Sequence, residues 1–441
     1  MPDSKLFKVI IAGGSVVGLT LANILEQAKI EFILLEKREI APDLGAAIAI
    51  QFHTSKVLEQ LGIFQVIKDA AIPLLRRWHY DEKGHLFEKN DYPKILTERT
   101  GRPFVFIQRR FYLESLFNNI KDKSKIRAHS GLHSYVETGD GVVVTTEAGE
   151  KIEGSVLIGA DGVHSTVRQL MAESLANDDP KRADTIVRAN YRAVVGTSTN
   201  HFLNEPSRRF LDDAVTNNVY YRGASGLVTC AVKGIVFWTL VVKEDGRTVA
   251  PNCPRYSESD RDETMKRYGN LAGGPGYTFA DLYRARKTAW MVPMEEGVVS
   301  DWSLGGRVLL VGDAAFKATI NLGFGGNTAS EGIYRLANEL VPLLERSPNP
   351  STSEIVDVFA KYEQAMRPRA EECVTLSHYG TRLEAMDTWW LRIIGSIIPW
   401  IPESFKANFL MSYMRPSPCL VFLPDPDKTD QDRKMTFELN G

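Results

Sequence analysis

The stretch KVIIAGGSVVGLTLANILEQAKIEFILLE, Lys8 to Glu36, decides the fold. Residues 6–11 (LFKVII) form a short β-branched and aromatic run, which predicts a strand. A glycine turn follows, then LTLANILEQA with apolar residues at helical spacing, then EFILLE as a second strand. That is a βαβ unit of about thirty residues, the length a parallel crossover needs. Gly13, Gly14 and Gly18 lie where the strand turns into the helix, so backbone N–H groups at the helix N-terminus can meet a pyrophosphate. Ser15 stands at the position of the motif's second glycine. Glu36, about twenty residues on, is placed to accept hydrogen bonds from ribose hydroxyls and disfavours a 2′-phosphate, which points to FAD or NAD rather than NADP at this site. The uncharged run Val9 to Leu25 imitates a signal peptide, but Gly13-Gly14-Ser15 breaks it and a small-residue cleavage site is missing.

Outward from this unit, residues 54–70 and 110–119 are expected as amphipathic helices. Val142 to Gly162 reads as a hairpin followed by the buried strand SVLIGAD. Between about 180 and 295 the texture changes to alternating strands, VYYRG, LVTCAV and IVFWTLVV, separated by turn residues. Near 307 the parallel pattern resumes with RVLLVGDAA, a glycine-rich loop and a helix from about Asn327 to Leu344. The expected fold is therefore α/β: a discontinuous Rossmann-like domain (1–179 and 296–380), an inserted antiparallel β-sheet substrate domain (180–295) and a helical C-terminal segment (381–441).

The 441 residues carry 53 Lys+Arg against 55 Asp+Glu, which leaves no electrostatic footprint for nucleic acid. The four cysteines are scattered without a CxxC pair, so neither a zinc site nor a disulfide framework is written, and an intracellular, reducing location is expected. No HExxH and no GxSxG elbow follow the appropriate elements, so no metal and no Ser-His-Asp hydrolase is assigned. TWWLRIIGSIIPWI (388–401) is strongly apolar, yet too short and too broken by Arg392 and Pro399 to span a bilayer. It is a candidate for peripheral membrane contact, set against packing on the body of the protein.

GADGVHSTVR (Gly159 to Arg168) and GDAAFKATINLGFGGN (Gly312 to Asn327), in this order after the fingerprint, resemble the later motifs of the class A flavoprotein monooxygenases. The phrases at Gly13 to Ala22 and Leu34 to Arg38 are most similar to fungal monooxygenases of terpenoid and meroterpenoid pathways. The resemblance implies FAD as cofactor, NAD(P)H as co-substrate, and insertion of one oxygen atom from O₂ into a hydrophobic small molecule by epoxidation or hydroxylation. It implies that Glu36 binds the adenosine ribose, that Ala49 lines the isoalloxazine, and that Arg110 of QRRFYLESL, with Arg109 as its rival, reaches the phosphates. Asp161 would serve FAD and nicotinamide together, Asp313 the ribityl or pyrophosphate part, and Gly323 to Gly326 the pyrimidine end of the flavin. Arg192 and Tyr221 are the catalytic candidates of the substrate domain, as hydrogen-bond donors or acids toward an epoxide or carbonyl oxygen.

The chain departs from the family pattern at Phe316, Ile320, Phe324 and Gly332 in the GD segment, and at Gly45 to Ala49 and His53. Two outcomes fit those changes: an apolar oxygenase pocket, or a same-fold protein turned to non-redox cyclase or isomerase chemistry.

Overall fold

A computed structural model describes residues 6–43, 45, 47–178, 187–250 and 252–428. The strand Lys8–Ala12 enters the middle of a six-stranded sheet. It pairs in parallel with Glu31–Leu35 on one side and Val156–Gly159 on the other. Ile126–Arg127 and Val308–Leu310 extend the parallel order, and Ser303–Leu304 closes one edge antiparallel. Val9, Ile10 and Ile11 are fully buried, as expected for a strand covered on both faces. The helix Val16–Gln27 returns the chain across the sheet and packs against the helix Gly325–Arg346. The stretch 54–70 forms two helices, Phe52–Gln60 and Phe64–Ala70, because Gly62 adopts a positive φ of 75° between them.

The second sheet has eight strands in the order Phe316–Lys317, Arg286–Val298, Arg188–Thr199, Ile235–Val249, Ala224–Val232, Val215–Tyr221, Arg76–Tyr80, Leu86–Asn90. Its middle is an antiparallel sheet, as expected from 180–295. Its two edges come from elsewhere: Arg76–Tyr80 joins in parallel beside Val215–Tyr221, and Phe316–Lys317 continues from the GD segment. Nonlocal pairing of this kind leaves no periodicity in the sequence, which is why the sheet is wider than the inserted segment. The boundary at 295/296 falls inside the strand Arg286–Val298, and that at 380/381 inside the 33-residue helix Thr352–Glu384. The boundary at 179/180 lies outside the described residues.

Beyond that long helix the chain forms the helices Trp389–Ile397 and Glu403–Met414. Among the described residues no helix is long and apolar enough to cross a membrane, no group of side chains could hold a metal ion, and the four cysteines are free.

Candidate active site

The glycine turn is shaped by close approaches that a side chain would block. A Cβ on Gly13, whose φ is 110°, would lie 2.4 Å from the Ala160 carbonyl oxygen, and one on Gly18 would lie 1.9 Å from that of Gly13. The turn therefore packs directly on the GADG segment and on its own helix. Gly14 donates its N–H to Glu36 Oε2 at 2.7 Å, and Arg38 donates to Oε1 at 2.9 Å. The carboxylate thus stands over the N-terminus of Val16–Gln27, at the end of the second strand.

Arg109 and Arg110 separate cleanly. Arg109 Nη2 donates to Ser15 Oγ at 2.7 Å, in the electrostatic field of Asp313 and Glu36; burial outweighs those two carboxylates and pulls its pKa down. Arg110 turns to solvent and pairs with Glu114 one helical turn on. The expectation for Arg110 is corrected accordingly: the helix Arg109–Asn119 begins at residue 109, and it is that first side chain which meets the glycine turn.

Asp161 is half-buried, and desolvation raises its pKa despite the donors around it. It accepts from Ser165 Oγ and from the backbone N–H groups of Thr166 (2.7 Å) and Val167 (3.1 Å). It thus takes up first-turn N–H groups of the helix that starts at Thr166, where Ser165 Oγ in turn accepts from Arg168 N–H at 2.9 Å, and this fixes the GADG turn. Arg168 then ties this turn to the GD turn by donating to the carbonyls of Ala314 (3.0 Å) and Val163. Asp313 pairs with Lys317 at the GD turn and is partly exposed.

The loop Gly323 to Gly326 leads into the helix Gly325–Arg346. Gly323 has a φ of 66°, and a Cβ there would meet that of Ala49 at 3.1 Å. The N–H groups of Gly325 and Gly326 belong to the first helical turn and have no intrahelical acceptor, so they and the helix dipole favour negative charge at this point. Asn327 holds loop and strand together: its Nδ2 donates to the carbonyls of Ala49 and Gly323, both at 2.9 Å, and its Oδ1 accepts from Gln51 N–H at 3.0 Å. The sequence carries no separate signal for this role, because Asn327 and Ala49 are 278 positions apart.

Two of the unusual residues have packing explanations. Phe316 stacks on Trp302 in the core. Phe324 stacks on Tyr413 of the helix Glu403–Met414, with ring centroids 4.4 Å apart, and borders the adjoining cavity. Phe324 therefore anchors the C-terminal helix against the loop, while Phe316 packs within the core.

That cavity comprises about 1020 Å³ of atom-free space, part of it open to solvent. On one side lie Ala49, Leu322, Gly323 and Phe324; on the other, the antiparallel sheet presents Leu227 and Val241 with the short hydroxyls Thr216, Ser225, Thr229 and Thr239. Arg192 and Tyr221 do not line it, which corrects their placement. Arg192 forms an ion pair with Glu244 at 2.9 Å, and the Tyr221 hydroxyl donates to the Ala272 carbonyl, facing a small cluster with Tyr80 and Val219. Strand alternation explains both: their side chains project to the face of the sheet opposite Leu227 and Val241.

A family model described as FAD binding domain matches residues 7–377. The chain is 31% identical over 439 residues to the FAD-dependent monooxygenase cdmI of Talaromyces verruculosus, covering 97% of this chain and 90% of that protein. It is 34% identical over 436 residues to the terM protein of Tolypocladium album, also named as an FAD-dependent monooxygenase, covering 96% and 88%. The chain belongs to the FAD-dependent monooxygenases. Among solved structures, Klebsiella pneumoniae HpxO, complexed with FAD and uric acid, superposes with a TM-score of 0.75 at 19% identity, covering 93% of this chain and 97% of that one. A 2-methyl-3-hydroxypyridine-5-carboxylic acid oxygenase superposes with a TM-score of 0.65 at 20% identity, covering 91% and 96%. These two likenesses concern the fold.

The residues present fit FAD. In this monooxygenase the glycines leave a cradle that any Cβ would fill, Glu36 offers a carboxylate beside it, and two helix N-termini carry first-turn N–H groups with no side-chain cap among the described residues.

Proposed function

We propose that this monooxygenase uses NAD(P)H and O₂ to epoxidise or hydroxylate an apolar, terpenoid-type small molecule of secondary metabolism. The observation that carries this reading is the cavity between the Gly323 to Gly326 loop and the antiparallel sheet, whose walls are mainly aliphatic and aromatic. Bound there, FAD supplies the redox chemistry that transfers one oxygen atom. The chain's own part is to hold and to shield. Gly13, Gly14 and Gly18 admit the pyrophosphate, Glu36 holds the ribose, and Arg109 offers positive charge. The Gly325 and Gly326 N–H groups stabilise negative charge at the flavin's pyrimidine end, and the apolar walls exclude water.

The same reading places the C-terminal helices on a lipid surface. Trp389, Ile393, Ile397 and Trp400 are 72%, 52%, 52% and 85% exposed. Phe405 and Phe409 continue this apolar face, while Leu410 and Met414 of their helix line the cavity. One helix thus has a side toward the bilayer and a side toward the substrate, which suits a ligand that partitions into membranes.

The test is turnover with NADPH or NADH under ¹⁸O₂ in the presence of prenylated and terpenoid candidates. Incorporation of one labelled atom into product supports the proposal. A cyclised or isomerised product without label, formed with no nicotinamide consumption, overturns it.

A further inference from the structure

One polar arrangement in the cavity wall lies outside the residues assigned above to FAD. Arg77, on the strand Arg76–Tyr80, and Tyr92, the first residue of the helix Tyr92–Thr100, both line the cavity. Arg77 is fixed on three sides: Nε donates to Asn218 Oδ1 at 2.7 Å, Nη1 to the Tyr92 hydroxyl oxygen at 2.7 Å, and Nη2 to Glu384 Oε1 at 3.3 Å. Glu384 is itself buried and accepts from Asn218 Nδ2 at 3.1 Å and Asn321 Nδ2 at 2.6 Å. Four segments of chain therefore agree on where the guanidinium sits.

The consequence falls on Tyr92. Its oxygen accepts from Arg77, so its own proton points elsewhere, and among the described residues no acceptor receives it. The ring is 8% exposed and packs with Leu96, Ala407 and Met411. A buried O–H without an acceptor costs free energy that a ligand oxygen recovers. Donation from the guanidinium also polarises the phenol and strengthens it as a donor.

We propose that Tyr92 is the residue that orients the substrate, donating a hydrogen bond to a carbonyl or hydroxyl oxygen at one end of an otherwise apolar molecule. Arg77 is its positioning residue. This rests on the cavity being the substrate site, as proposed above. It selects, among apolar compounds, those that already carry an oxygen function and so have passed through an earlier oxygenation, carbonyl-forming or hydrolytic step.

The test compares farnesol with the isoprenoid hydrocarbon of the same skeleton, by quenching of tryptophan fluorescence, on flavin-free and flavin-loaded protein. Wild type is expected to prefer the alcohol by about tenfold, the scale of one hydrogen bond in a dry site. Tyr92→Phe keeps the ring and is expected to bind both probes with the hydrocarbon's affinity. Arg77→Gln is expected to lose the same preference, and adding Tyr92→Phe to it to cost nothing more, a coupling that mere loss of packing would not produce. Leu227→Trp, which fills the cavity, is expected to remove the binding of both probes. Retention of the preference in Tyr92→Phe, its absence from wild type, or alcohol binding that survives Leu227→Trp overturns the assignment. Failure of the oxygenase reading shows differently: the preference is intact but no oxygenated product forms.

Discussion

Arg109 Nη2 lies 2.7 Å from Ser15 Oγ, which joins the start of one helix to the glycine turn at the start of another. On the proposed reading, the contact puts a guanidinium beside the turn that would receive the pyrophosphate, while Arg110 is spent on Glu114 at the surface. Arg109→Ala is expected to weaken FAD binding by about 1.5–3 kcal/mol, the range for a hydrogen bond to a charged group. Arg110→Ala is expected to leave it unchanged. Fluorescence titration of the flavin-free protein with FAD reads both, and the reverse ranking would return the phosphate role to Arg110.

Tyr413 connects the C-terminal helix to the Gly323 to Gly326 loop and the helix it opens through its stack on Phe324, a 2.7 Å hydrogen bond between its hydroxyl and Thr328 Oγ1, and the Arg369 guanidinium 4.4 Å above its ring. Tyr413→Ala is expected to lower the unfolding free energy by about 3–5 kcal/mol, as truncation of a buried aromatic does. Chemical denaturation measures this; a loss under about 1 kcal/mol, the size of a surface change, would mean that the helix is not anchored here.

His53 is buried, its two ring nitrogens have no hydrogen-bond partner among the described residues, and Glu331 and Arg369 lie in its field. Burial lowers its pKa from 6.5 to about 4. Because the folded pKa is depressed, the unfolded chain binds the extra proton first. The stability associated with neutral His53 is full above pH 6.5 and is lost as the pH falls toward about 4. The loss amounts to about 3 kcal/mol. His53→Leu is expected to flatten the stability profile over that window by this amount. Parallel profiles for wild type and variant would contradict it.

The fold was legible where signals are local. Gly13, Gly14, Gly18 and Glu36 lie within one βαβ unit, and each residue's steric or hydrogen-bonding reason can be read from its spacing. The eight-stranded sheet was legible only in its middle, since Arg76–Tyr80 pairs with a strand about 140 residues later. The polar group around Arg77 was not legible at all, because Tyr92, Asn218, Asn321 and Glu384 meet only through packing of distant elements. Adjacent arginines gave no basis for choosing between 109 and 110 until the start of their helix was known.

For the exposed face of the C-terminal helices, the expectation is binding to phospholipid vesicles. Each fully buried large apolar side chain adds about 1.5–3 kcal/mol, so replacing Trp389, Ile393 and Trp400 together by Ser is expected to abolish co-sedimentation with vesicles. Equal sedimentation of wild type and variant would show that this face does not meet lipid.

The most direct measurement is the visible spectrum of the purified protein, loaded with FAD, before and after anaerobic addition of NADPH and then of air. Flavin bands that bleach with the nicotinamide and return with oxygen are the expected result. A protein that cannot retain FAD, or whose bound flavin no nicotinamide reduces even with substrate present, would contradict an oxygenase site at the Gly13 turn and the Gly323 loop.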